Sequence, residues 1–237
     1  MIYLYTGTPG SGKSLHVARD MVIRLKRGGS LIANFPINTD LVKKNKGEFV
    51  YKDNSELTVS FLVEYAKEHH VVGKENQSLV VIDESQVLFN SRDYSKKDRS
   101  QWVTFFSQHR KYGYNVILIT QYDRMLDRQI RSLVEYEIKH RKINNYGFGG
   151  MLLSLTFTTW FVAIERWYGM QGQEGRLGAS FFPYQKKYSL IYNSYMAFDE
   201  EKLVSSETAS PAGEGGGNRV SGGAMPGPVG DVVSEFN

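Results

Sequence analysis

The sequence predicts an α/β fold, a mostly parallel sheet flanked by helices, on three observations. Short apolar runs alternate with segments of helical spacing from Met1 to Lys142. Ser78–Asp83 (S-L-V-V-I-D) is apolar without a break and ends in acid, as a strand covered on both faces does. The first strand leads through a glycine-rich turn directly into a helical segment, so strand, helix and strand follow one another in the order that builds parallel sheets.

Met1–Thr6 reads as a short buried strand rather than a secretory leader, which has a basic start and a small-residue cleavage site. From Lys13 to Lys26, Leu15, Ala18, Met21, Val22 and Leu25 recur at helical spacing, and Gly28-Gly29 ends the helix. Ser30–Phe35 is a second strand, stopped by Pro36. After a polar stretch, Ser55–His69 carries Leu57, Phe61, Leu62, Tyr65 and Ala66 on one helical face. A charged loop over Asn90–Arg99 precedes a helix over Trp102–Tyr112, stopped by Gly113. Asn115–Gln121 is another buried strand. Met125–Glu135 is predicted helical with Leu126, Ile130, Leu133 and Val134 inward, and Glu137–Lys142 alternates as a strand at the sheet edge would.

Beyond Gly147 the rhythm changes to aromatic-rich β-like segments, Leu153–Trp167 and Tyr188–Phe198. The stretch between Lys142 and Glu165 is uncharged, but its strongly apolar part, Met151–Ile164, falls short of the roughly 20 residues a membrane-spanning helix needs. Its threonines, Phe157, Trp160, Phe161 and Val162 favour buried strand instead. Residues 205–237 are rich in Gly, Ser and Pro and have little to bury, the composition of a disordered tail. The predicted organisation is a core over 1–146, a β-rich extension over 147–204 packed on it, and that tail.

Hydrophobic content of 41% and charged content of 23% suit an ordinary soluble domain. The absence of cysteine excludes disulfides and thiolate metal sites and points to an intracellular, reducing compartment. A net charge of +4 allows contact with nucleic acid or an anionic membrane face without arguing for either. The five histidines show no metal-ligand spacing.

Chemistry concentrates at Gly7–Ser14, G-T-P-G-S-G-K-S, the Gly-x4-Gly-Lys-Ser pattern between a strand and a helix. Gly7, Gly10 and Gly12 let the backbone curl so that amides of Gly7, Thr8, Pro9, Gly10, Ser11, Gly12, Lys13, Ser14 and Leu15 wrap a polyphosphate (Pro9 lending shape only), with the helix dipole behind them. Lys13 meets the β- and γ-phosphates of ATP, and Ser14 offers its hydroxyl to Mg²⁺. The second half follows at Asp83, delivered to the carboxyl edge of the sheet as a Mg²⁺ ligand, and Glu84, placed to polarise the attacking water. Gln121 ends the next apolar strand. It can sense the γ-phosphate if that strand is inserted between the other two, as in RecA-like ATPases of the additional-strand type. Arg110 and Arg131, with Arg128, are candidates for an arginine finger that reaches a neighbouring subunit, and His109 reads as structural.

These blocks resemble the N-terminal ATPase domain of the zonular occludens toxin (Zot)-like family, the filamentous-phage assembly ATPases. The resemblance covers about residues 1–196. It rests on M-I-Y-L-Y-T-G-T-P-G-S-G-K-S, A-N-F-P-I, S-L-V-V-I-D-E-S-Q, H-R-K-Y-G-Y-N-V-I-L-I-T-Q, L-D-R-Q-I-R-S-L-V-E and, weakly, Y-N-S-Y near residue 195. It implies an ATPase acting in the host cytoplasm, at the cytoplasmic face of the inner membrane, in extruding and assembling virions. A homo-oligomeric ring, phage DNA gripped without base reading by side chains such as Lys139, Arg141 and Lys142, phage coat or assembly proteins and peripheral membrane contact are the partners it implies. Matched residues are Lys13, Ser14, Asp83, Glu84 and Gln121, then Arg110 and Arg131. The family pattern places a membrane-spanning helix and a further domain after the ATPase domain. Here a glycine-rich segment stands instead, which leaves room for a soluble ATPase that packages DNA into a capsid.

Three rivals share the loop. A small-molecule kinase needs no Asp-Glu pair, and a GTPase switch needs Asn-Lys-x-Asp and Asp-x-x-Gly motifs that the sequence lacks. A non-enzymatic scaffold would tolerate a degenerate loop, and this loop is intact.

Overall fold

The computed structural model describes residues 1–90, 96–143, 158–170 and 172–192. In chain order the elements are β1 (Ile2–Thr6), α1 (Lys13–Lys26), β2 (Ser30–Ala33), β3 (Phe49–Tyr51), α2 (Val59–His69), β4 (Ser78–Ile82), α3 (Lys96–Gln108), β5 (Tyr114–Ile119), α4 (Arg128–Ser132), β6 (Tyr136–Lys142), β7 (Trp160–Trp167), β8 (Arg176–Pro183) and α5 (Lys186–Ile191). They form one sheet in the order β3-β2-β4-β5-β1-β6-β7-β8. The six strands from β3 to β6 run parallel, and β7 and β8 continue the sheet antiparallel.

Two apolar layers explain why the central strands are apolar throughout. Leu31, Ala33, Leu79, Val81, Ile117 and Ile119 face α1 and Ile191 of α5. The alternate residues, among them Ile32, Val80, Ile82, Val116 and Leu118, face Leu62, Phe105, Phe106 and Ile130 on the other side. Every residue of β4 is buried, as its sequence predicts for a strand with both faces covered. The fold is that of a P-loop NTPase, with strand β5 inserted between β1 and β4.

Several boundaries move, each for a local reason. The strand over 137–142 lies inside the sheet, between β1 and β7, and not at its edge. Its alternation records one covered face, with Ile138 and His140 buried while Lys139, Arg141 and Lys142 are exposed. The helix predicted over 125–135 shrinks to α4. Residues Asp123–Met125 form a 3₁₀ turn, and Asp127 restarts the chain by accepting hydrogen bonds from the amides of Gln129 (2.8 Å) and Ile130 (3.4 Å). Thr58 caps α2 in the same way, accepting from the Phe61 amide, so that helix starts four residues later than Ser55. The helix over 102–112 runs instead from Lys96 to Gln108, taking residues 96–99 out of the charged loop. Tyr188–Ile191, predicted β-like, lies in helix α5. The three-residue edge strand β3 carries too little pattern to be read.

β7 contains the strand expected around Trp160–Val162. Residues 144–157 of the uncharged stretch, residues 193–204 and the predicted tail 205–237 lie outside the described residues. Among the described residues no helix is long and apolar enough to cross a membrane.

Candidate nucleotide site

The glycine loop begins where β1 ends, and its curvature depends on residues without Cβ. Gly10 and Gly12 hold φ of 72° and 95°, in the left-handed region. A Cβ on Gly12 would lie 2.7 Å from the Phe161 ring, and one on Gly7 would lie 2.6 Å from the His140 carbonyl oxygen and the Ser11 hydroxyl. The loop closes on itself through the Ser11 amide donating to the Thr8 carbonyl (3.1 Å). Helix α1 then starts at Gly12 with no side-chain cap and no acidic residue in its first turn. The amides of that turn therefore present uncompensated positive charge to an anion. Lys13 lies across the loop and donates from Nζ to the carbonyls of Gly7 (2.5 Å) and Thr8 (3.2 Å).

Asp83 stands one residue past β4. Burial pushes its carboxyl up to about 6, and the charge on Glu84 adds to that, while the Glu84 amide and Lys13 work in the opposite direction. Lys13 is the mirror image. Burial lowers its ammonium, and the charges of Asp83 and Glu84 raise it. Both β1 and β4 run parallel to β5, so the loop after β1 and the acidic pair after β4 leave the same end of the sheet. Between them β5 brings Gln121, whose carbonyl accepts from the Gly7 amide at 3.3 Å. Ser14 and Tyr192 line one cleft, and the Tyr192 hydroxyl donates to Asp83.

The residues present fit the groups the loop implies. Ser14 and Asp83 supply the hard oxygen donors that Mg²⁺ takes. The uncapped helix start, the ammonium and the close-packed glycines fit a polyphosphate. The buried Ser11 hydroxyl has no hydrogen-bond partner among the described residues.

The model of the zonular occludens toxin (Zot) family matches residues 1–196. The chain belongs to the Zot family. It is 26% identical over 163 residues to the Gene 1 protein of Enterobacteria phage I2-2, covering 65% of this chain and 45% of that protein. The Gene 1 protein of Enterobacteria phage M13 is 26% identical over 162 residues, 65% of this chain and 46% of that protein. The chain thus spans about half the length of the curated relatives it matches. The N-terminal domain of zonular occludens toxin from Neisseria meningitidis has a similar fold, with a TM-score of 0.50 and 19% identity over 81% of this chain and 98% of that one.

In this Zot-family chain the arginine candidates separate. Arg110 is exposed at the opposite end of the sheet, paired with Glu135, whose amide donates to the carbonyl of Ile2. β1 puts four residue steps, roughly 13 Å, between Ile2 and Thr6. Arg131 stands nearer the loop's end of the molecule, 4.0 Å from Asp123, while Arg128 is exposed. His109 is buried and hydrogen-bonded from Nδ1 to the Phe106 carbonyl (2.6 Å), a structural role.

Four residues that the sequence reading left without a role help to build the site. Asn34, from A-N-F-P-I, accepts from the Asp83 amide (2.7 Å) and donates to the Asp83 carbonyl (2.9 Å), clamping the backbone that carries the carboxylate. Gln86 donates to the Glu84 carboxylate and so orients it. His16 Nδ1 and His140 Nε2 lie 2.8 Å apart behind the loop, and His140 Nδ1 is 3.2 Å from the Thr6 carbonyl. A carbonyl only accepts, so His140 carries its hydrogen on Nδ1 and His16 donates to Nε2. The signals were present: a polar residue at the end of β2, a glutamine two residues after the acid pair, and two histidines at inward positions of α1 and β6.

Proposed function

We propose that this chain is the ATP-hydrolysing motor domain of a phage morphogenesis machine, powering export and assembly of filamentous virions and their DNA at the host inner membrane. One observation carries the reading: a lysine-bearing glycine loop and the half-buried Asp83 with its neighbour Glu84 leave the same end of the sheet on either side of the inserted strand β5, in a chain of the Zot family. ATP lies along Gly7–Leu15 with its terminal phosphates at Lys13. Ser14 and Asp83 would hold Mg²⁺, which would offset the charge of the phosphates. Glu84, held by Gln86, takes a proton from the attacking water. Gln121 stands beside Gly7 to report phosphate occupancy to β5.

Charge developing on the phosphates calls for a cation from a neighbouring subunit, and Arg131, beside Asp123 at the loop's end of the sheet, is better placed than Arg110 at the opposite end. Lys139 and Arg141 are exposed and border a cleft with Gln121 at the loop's end of the sheet. That position suits a sequence-independent grip on DNA phosphates, so turnover and DNA contact lie close together. The ring, the contact with coat or assembly proteins and the peripheral contact with the inner membrane rest on the family.

Steady-state ATP turnover with and without DNA tests the reading. Lys13→Ala is expected to lower turnover at least about a hundredfold, the loss typical of removing one donor from a charge-stabilising site. DNA is expected to stimulate the wild type, with stimulation fading steeply between about 50 and 200 mM salt. Undiminished turnover in Lys13→Ala sinks the ATPase reading. Absence of any DNA effect at low salt sinks the translocation part alone.

A further inference from the structure

The loop cleft has a second wall that phosphate chemistry does not explain. A space of about 270 Å³ lies between Gly10–Leu15 and the side chains of Phe161, Tyr184, Ser189 and Tyr192. All four come from the part of the chain beyond β6. Phe161 is buried against Gly12 and packs on Phe182 with ring centroids 5.6 Å apart, so it is a fixed floor. Tyr192 is spoken for, since its hydroxyl holds Asp83 and its ring packs on Phe35 at 4.7 Å. Tyr184 has 46% of its surface exposed, and its amide donates to the Thr159 carbonyl at 2.7 Å, which fixes its backbone.

Sheet order gives the cleft a direction. Asp83 follows β4, two strands to one side of β1, while Phe161 on β7 and Tyr184 after β8 lie two and three strands to the other side. A nucleoside triphosphate with its γ-end between Lys13 and Asp83 therefore leaves the loop on the β7–β8 side, where these rings stand. Aromatic faces take a base by stacking without reading its edges. We propose that Tyr184, above the floor made by Phe161, is the residue on which the base of the bound nucleoside triphosphate stacks, an inference that rests on the nucleotide reading above.

Calorimetric titration of the full chain with ATP and, separately, with inorganic tripolyphosphate tests it. Tyr184→Ala is expected to weaken ATP about tenfold, equivalent to ~1.4 kcal/mol and near the low end for base stacking. Tripolyphosphate affinity should stay unchanged, and Tyr184→Phe should bind ATP as the wild type does. Unaltered ATP affinity in Tyr184→Ala overturns the inference while leaving the loop's role intact. Equal weakening of both ligands also overturns it, because the ring would then be supporting the loop. If neither ligand binds the wild type, the nucleotide reading itself fails and this inference goes with it.

Discussion

Glu84 holds a φ of 43°, a left-handed conformation that costs a non-glycine residue of this kind on the order of 1 kcal/mol. The turn it makes is exposed, yet it is tied down on both sides, by the Asp83 carboxylate accepting from its amide at 2.8 Å and by Ser85 donating to the Ile119 carbonyl at 2.8 Å. Strain of this sort persists where surrounding contacts over-determine the backbone, and here the Glu84 carboxylate is held by Gln86. Asparagine enters the left-handed region more readily than glutamate. Glu84→Asn should therefore keep stability or raise it by up to about 1 kcal/mol in urea unfolding, while turnover drops by roughly 10²–10⁴, the usual contribution of a positioned base. A variant that is clearly destabilised and still active would show that this turn serves folding rather than chemistry. At this scale the sequence was most legible, because Lys13, Ser14, Asp83 and Glu84 announce themselves by spacing. Asn34 did not, because its partner is a backbone amide that only the fold brings near, and Gln86 did not, because a glutamine two residues past an acid makes no pattern of its own.

Elements were legible in proportion to how many of their faces are covered. β4 and β5, buried on both faces, show as unbroken apolar runs. β6 shows as an alternation that says nothing about its neighbours, and the assignment to an edge misread one covered face as one missing partner. α4 and α5, five and six residues long, are too short to show helical periodicity, and capping by Asp127 decides where α4 starts. The inward positions of His16 and His140 could be read from the sequence but their pairing across α1 and β6 could not, and that pairing has a measurable consequence. Burial, then the charge of His16, lowers His140 to about 3, and burial lowers His16 as well. Free histidine titrates near 6.5. Between those values the unfolded chain binds protons that the folded chain refuses, so stability is intact above about pH 6.5 and falls as pH drops toward 3. The slope contributed by one such histidine is at most ~1.4 kcal/mol per pH unit. Urea midpoints of the wild type and His140→Gln between pH 7.5 and 5 check this. The wild type should lose more stability on acidification than the variant does, and parallel losses would remove the histidine pair from the account.

At the scale of the whole sheet, β7 and β8 belong to the stretch expected to form a β-rich extension packed on the core, and they join that core by continuing its sheet. β6 pairs β7 from Tyr136↔Trp167 to Lys142↔Phe161, and Phe161 and Phe182 lie in the same apolar cluster as Leu15, Val17 and Met21 of α1. Phe161 is the keystone of that continuity, since it is buried, sits in the strand joined to β6, and touches the glycine that opens α1. Truncating it leaves a cavity under the phosphate loop and should cost about 3–5 kcal/mol. If the strands form one cooperative body, Phe161→Ala shifts a single unfolding transition to lower urea, with near-ultraviolet and far-ultraviolet signals moving together. An extension that folds apart from the core predicts two transitions, of which only the weaker would move. ATP affinity separates the outcomes further, because a shared sheet makes the loop feel the cavity and a detached hairpin leaves the loop unchanged.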